Sequence, residues 1–290
     1  MKLKKKKNDM KIAEQNIKIL KSGKIKVKKG QKISLDPYIE NSVENTICSR
    51  STGIISKEDV VVSNGDVSKT NITANLSSMK RTADMLSRTS TSTTYTITHV
   101  INKKESGEIF DFLDDSIVGI LLRTSTLATI YKKIKDEWLD LNNEDKTSFF
   151  NVLYIPNIFV FLDEDGKIKK KPYKVNLLLV AIPTLKHFSE IKIEGIDEVD
   201  DSIYTKKIVD EITDIAIKCG AKNLIVAPYC HKVFLNDPHY TAELWKDATS
   251  SGRIISHISS IDFAVNDDDL YIIFSKNLLQ LVGGMGSLKS

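Results

Sequence analysis

Nine residues past the middle of the chain, 175–183 (VNLLLVAIP), constrain the fold more than any others. A run this short and this apolar suits a central strand covered on both faces, the kind of strand that α/β sheets contain. Residues 223–228 (NLIVAP) form a second buried strand, and 260–265 a third. Ahead of the second run, residues 205–220 place Ile208, Ile212, Ile215 and Ala216 at i, i+4, i+7 and i+8. That spacing predicts an amphipathic helix, with Gly220 as the residue just past its end. Strands alternating with helices predict a mixed, largely parallel α/β sheet flanked by helices.

The remaining segments fit around that frame. Helical spacing is expected over 11–22, 77–88, 112–122, 127–138 and 241–248. Ile25 and Val27 alternate on one side of Lys28-Lys29-Gly30-Gln31, and Ile33 and Leu35 on the other, which reads as a hairpin. Residues 60–62, 95–100 and 154–162 read as further strands, the last ended by a turn at Asp163, Glu164, Asp165 and Gly166. Three segments result: a basic tail over 1–10, an N-terminal α+β lobe over 11–62 and a main body over 63–290, the lobe and body forming one domain. Linkers are expected at 89–94 and 194–202.

Charge is distributed unevenly along this order. The 290 residues hold 42 Lys and Arg against 38 Asp and Glu, a net charge of +4. Residues 1–32 alone contain thirteen lysines against Asp9 and Glu14. The other residues therefore carry 29 bases and 36 acids, a net −7. The field of the body does not attract a polyanion, whereas Lys2 and Lys4–Lys7 suit nucleic acid or an acidic partner. A solvated tail without a partner is the plainer reading of the same run.

Three cysteines, Cys48, Cys219 and Cys230, have no metal-binding spacing and no even pairing, so free thiols are expected. His99, His187, His239 and His257 show no metal-ligand spacing, and neither metal nor cofactor is expected. No apolar run approaches the roughly 20 residues that span a bilayer. Together these features suggest an intracellular protein, cytoplasmic or nuclear.

In an open α/β sheet, ligands bind beyond the C-terminal ends of the strands. The loop after NLIVAP carries Phe234-Leu235-Asn236-Asp237-Pro238 before a helix. This run resembles the signature of the microbial-type poly(ADP-ribose) glycohydrolases, a branch of the macrodomain superfamily. Asp262-Phe263-Ala264-Val265-Asn266-Asp267 resembles the family's last strand, and Arg123, Ser125, Leu127 and Tyr131 its Arg-x-Ser-x-Leu helix. With the strands over 154–162 and 175–183, the resemblance covers about residues 11–280. It implies a macrodomain-like fold and recognition or hydrolysis of ADP-ribose or poly(ADP-ribose).

The chain departs from that family where chemistry is expected. Its relatives use a glycine-rich loop, whose backbone N–H groups approach a diphosphate, and two adjacent glutamates for acid–base work. Here the loop position reads Lys103-Lys104-Glu105-Ser106-Gly107-Glu108, with one glycine. Counting back from Arg123, the glutamate pair falls on Val118 and Gly119, and neither side chain transfers a proton. The second phosphate loop, 228–232 (PYCHK), has no glycine. Phe234, Asn236, Asp237, Lys104 and Gly107 remain as candidate ligand-binding residues.

Three readings stay open. The first is a divergent, catalytically impaired relative, a pseudoenzyme that keeps ADP-ribose-related binding. The second is an interaction scaffold with no nucleotide site, acting through its lysine-rich N-terminus. The third is an active ADP-ribosyl hydrolase in which Asp114 or Asp115, about one helical turn before the missing pair, supplies the carboxylate. Asp114 and Asp115 have a bland alternative role as N-terminal charges of the helix after them. Asn236 and Asp237 have one as the cap of the helix begun by Pro238.

Overall fold

Runs of β-branched and aliphatic residues become strands here, and the amphipathic runs between them become helices, much as their periods dictate. The computed structural model describes residues 2–27, 30–51, 71–89, 93–103, 107–144, 150–182, 201–227, 237–265 and 267–282. The expected strand at 60–62, the expected linker from 194 to 200 and part of that at 89–94 lie outside them, while Asp201 and Ser202, read as the linker's end, begin a helix.

The described chain opens with α1 (Lys2–Ser22), a hairpin of β1 (Lys24–Lys26) and β2 (Lys32–Ser34), α2 (Asp36–Glu44) and β3 (Ile47–Ser51). It continues through β4 (Asn71–Leu76), α3 (Met79–Thr89), β5 (Tyr95–Asn102), α4 (Ile117–Thr124) and α5 (Leu127–Glu144). The remainder is β6 (Phe150–Leu162), β7 (Ile168–Ile182), α6 (Asp201–Lys218), β8 (Asn223–Val226), α7 (Pro238–Thr249), α8 (Gly252–His257), β9 (Ser260–Val265) and α9 (Asp268–Val282).

The larger sheet has the strand order β3-β6-β7-β5-β8-β9-β4. Strand β6 runs antiparallel to both β3 and β7, with Cys48 opposite Leu153 and Tyr154 opposite Leu178. Strands β5, β8, β9 and β4 are parallel, with Ile97 beside Ile225, and Ile225 beside Asp262. The mixed α/β sheet read from the sequence is therefore present. Strand β7 is internal, third of the seven, and buried on both faces over its second half, but its partner β6 is antiparallel. The reason is local: the turn at Asp163–Gly166 is too short for a crossover, and it closes a hairpin instead. Asp163 accepts backbone hydrogen bonds from Asp165 (3.0 Å) and Lys167 (2.8 Å), and Gly166 takes φ +78°.

Two units are distinguishable by their internal packing. The first comprises Met1–Ser51, Ser87–Thr94 and His99–Pro183. Its core is built from β6, β7, α4 and α5, with Trp138, Phe150, Phe161 and Leu177 fully buried. The second comprises Thr52–Leu86, Tyr95–Thr98 and Thr184–Ser290, and packs Trp245, Phe263 and Phe274 around β9. Within it, the Trp245 and Phe263 rings meet edge to face at 5.4 Å.

The N-terminus differs from the sequence reading. The tail over 1–10 and the helix over 11–22 are a single helix, α1, from Lys2. Lysine is a good helix former, and two ion pairs anchor the first turns: Lys5 to Asp115 at 2.8 Å, and Asp9 to Arg123 at 3.8 Å. Further along, the buried Asn16 amide donates to Leu122 O (2.6 Å) and Ser125 O (3.0 Å), tying α1 to the end of α4.

Candidate functional site

The first unit places Val118 and Gly119, where the resemblance implies a glutamate pair, in the first turn of α4. Ser116 caps that helix, its hydroxyl accepting from Gly119 N at 3.2 Å. The sequence IVGILLRT is apolar almost all round, and so the helix is a core helix rather than a surface one. Val118 is fully buried. Gly119 sits against the backbone of the preceding loop, where a Cβ would meet Asp111 O at 2.9 Å and Asp114 O closer still. Backbone oxygens do not move aside as a flexible side chain does, so position 119 admits no side chain in this arrangement.

Arg123 holds that loop in place. Its guanidinium is buried, donates to Phe112 O and to Asp114 O (2.7 Å), and pairs with Asp9. The arginine of the resembling motif thus positions residues 111–116. Asp114 lies half-buried in the same loop, where its carboxylate accepts from Ser116 N. Asp115 is exposed and paired with Lys5, whose hydrogen-bonded ammonium holds the carboxyl below the usual carboxylate range. Both lie ahead of the Ser116 cap, outside the first turn of α4, Asp114 bound to the backbone of the loop and Asp115 to Lys5.

His99, near the middle of β5, was not among the sequence candidates. Its Nδ1 is inaccessible and has no hydrogen-bond partner. Burial pushes its pKa down to about 4, only partly opposed by the charge of Asp114. The signal in the sequence is faint: a lone histidine in an alternating strand, four residues before the loop at 103–107. Gly107 is exposed at the entry of a single 3-10 turn over Glu108–Phe110, with an ordinary right-handed backbone (φ −87°). Lys104 lies outside the described residues.

The second unit carries the other resembling motifs. Phe234 and Asn236, like Cys230 and His231, lie outside the described residues. Asp237 is exposed and caps α7: its Oδ1 accepts from His239 N at 2.9 Å, with Pro238 beginning the helix. On β9, Asp262 is buried and accepts a hydrogen bond from the Thr73 hydroxyl. Burial raises its pKa, and its charge in turn adds to the raised pKa of Tyr95, whose main cause is burial of the phenol. Asp267 receives Leu270 N at 3.0 Å at the start of α9.

Cys48 and Cys219 are free thiols pushed up to about 12 and about 11 by burial, so both are protonated near neutral pH. Among the described residues no cluster of His, Cys, Asp or Glu is arranged to hold a metal ion, and no helix is long and apolar enough to cross a membrane.

No protein-family profile matches the sequence, and no curated protein does. Solved structures do. The chain is similar to the poly(ADP-ribose) glycohydrolase of Thermomonospora curvata, with a TM-score of 0.71 at 18% identity over 93% of this chain and 98% of that one. For the same enzyme bound to the inhibitor ADP-HPD the TM-score is 0.69 at 18% identity, over 92% and 98% of the two chains. The glycohydrolase of Deinococcus radiodurans in complex with ADP-ribose gives 0.64 at 17% identity, over 84% and 98%.

The chain has the fold of these glycohydrolases. The likeness extends over nearly the full length of each of them, so the order of motifs read from Arg123 to Asp262 lies on one continuous glycohydrolase-like fold. On that fold, α4 is the helix whose first turn carries Val118 and Gly119.

Proposed function

We propose that this protein binds an ADP-ribose-type ligand on a poly(ADP-ribose) glycohydrolase fold and does not hydrolyse it. The observation that carries the reading is the filled space at Gly119, where a Cβ would collide with Asp111 O and Asp114 O. Cleavage of a glycosidic bond needs a carboxylic acid able to give up a proton to the leaving oxygen, usually one whose pKa is raised. Val118, fully buried beside Gly119, supplies none.

The neighbouring carboxylates do not fit that role. The hydrogen bond from Lys5 favours the ionised form of Asp115, the opposite of what a general acid requires. The carboxylate of Asp114 is engaged by Ser116 N. The binding half of the reading rests on the glycohydrolase fold, whose D. radiodurans example holds ADP-ribose, and on the Phe-x-Asn-Asp-Pro run with an exposed Asp237.

Calorimetric titration of the full chain with ADP-ribose, with AMP as control, tests the binding half. Saturable heat with ADP-ribose and a weaker response to AMP is expected. A flat ADP-ribose titration at millimolar concentration removes the nucleotide site from the account.

A further inference from the structure

We propose that α1 and the β1–β2 hairpin together form a surface that binds the phosphate backbone of duplex nucleic acid, independent of the ADP-ribose reading. The first observation is where the charges of this segment point. Of its two acids, Asp9 is buried against Arg123 and does not neutralise the outer face. Successive helix residues turn by about 100°, so Lys7, Lys11 and Lys18 fall within about 40° of one another. That stripe lies opposite the buried Asp9, Ile12, Ala13 and Asn16, and all three lysines are exposed, with Glu14 as the one acid among them.

The hairpin supplies an independent observation. Gly23, at φ +66°, turns the chain directly from α1 into β1. Ile25 is buried on one face, while Lys24, Lys26 and Lys32 are exposed on the other. The register sets Lys26 directly opposite Lys32. Like charges at opposed positions of an antiparallel pair are destabilising. Among the described residues neither lysine meets a carboxylate, so the hairpin holds an uncompensated positive pair that an external anion relieves.

The chemistry of the surface selects the partner. Residues 1–49 contain no arginine, so the planar fork that grips carboxylates in pairs is absent, and lysine acts as a point charge suited to a phosphate backbone. Over the described residues from Lys5 to Ser34, Met10 is the single exposed large apolar side chain, too little apolar surface to anchor on a lipid bilayer. The span from Lys7 to Lys21 is about 21 Å of helix axis, long enough to follow several phosphates.

Fluorescence anisotropy with a labelled 20-base-pair DNA duplex tests this on the full chain. Binding is expected to weaken with salt, log K falling with log salt at a slope of about −4 or steeper. The triple variant Lys24→Gln, Lys26→Gln, Lys32→Gln is expected to bind about tenfold or more weakly and to reduce the slope by about 3. Its melting temperature should stay level or rise, because a like-charge pair has been removed. A second triple variant, Lys132→Gln, Lys133→Gln, Lys135→Gln, removes the same charge from exposed positions on α5 and should lose much less. Equal losses in the two variants overturn the proposal, as does binding without salt dependence. Tight capture by phosphatidylserine vesicles with none by the duplex overturns it too.

Discussion

Residues 111–125 and residues 237–241 both carry pieces of a glycohydrolase-like signature, and the structure holds them in opposite ways. In the first, the side chains and backbone face the core: Val118 is fully buried, Gly119 is pressed on backbone oxygens, and Arg123 is engaged by Phe112 O and Asp114 O. In the second, Asp237 remains exposed at the head of α7, making only a local cap. The contrast teaches that two stretches of one resembling signature are held by different forces, one by core packing and one by a surface cap. A carboxylate that caps a helix contributes to stability whatever else it does, whereas packing against backbone oxygens leaves no room for a side chain at position 119.

Placing a carboxylate at position 119 puts the greatest pressure on that contrast. Gly119→Glu forces a side chain against the Asp111 and Asp114 carbonyls and buries a charge, so we expect a loss of more than about 3 kcal/mol. Denaturant melts read this directly; a variant as stable as the parent would show that the loop yields and that the site is not closed by packing. Arg123→Ala should cost about 2–3 kcal/mol, since it leaves Asp9 and two loop carbonyls without their donor. A loss below about 1 kcal/mol would mean that water replaces the guanidinium, and that the loop is not held by it.

A pH series probes the same region through His99. A histidine whose pKa is lowered in the fold is protonated first in the unfolded chain, so acid favours unfolding. The stability it supports is complete above pH 6.5 and is lost as pH falls toward about 4. His99→Gln should flatten that part of the curve, and an unchanged curve would remove His99 as its source. The smallest effect is expected in the second region, where Asp237→Ala should cost about 1 kcal/mol as a lost helix cap. If it also weakens ADP-ribose binding beyond what its effect on stability explains, the exposed carboxylate has a second duty.

Much of this was legible in the residues, for physical reasons that also explain the rest. Helix α6, with Gly220 at φ +70°, and strands β5, β8 and β9 follow from hydrophobic period alone. Strand β4 (NITANL) does not show itself, because its polar alternation carries no core signal; its pairing with β9 and the Thr73–Asp262 hydrogen bond define it. The N-terminal half of α1 reads as a tail because its anchors, Lys5–Asp115 and Asp9–Arg123, join residues more than a hundred positions apart. The absence of a glutamate pair is visible by counting from Arg123. That position 119 has no room for a side chain is not, since this depends on carbonyls of a loop whose course no local pattern sets.

A glycohydrolase fold closed to its own chemistry is tested most directly by incubating the purified chain with poly(ADP-ribose). Chromatographic assay for free ADP-ribose should find none above the no-protein control over hours at neutral pH. Release at ordinary enzymatic rates, abolished by Asp114→Ala or Asp115→Ala, would contradict the account and place the acid one turn before Gly119.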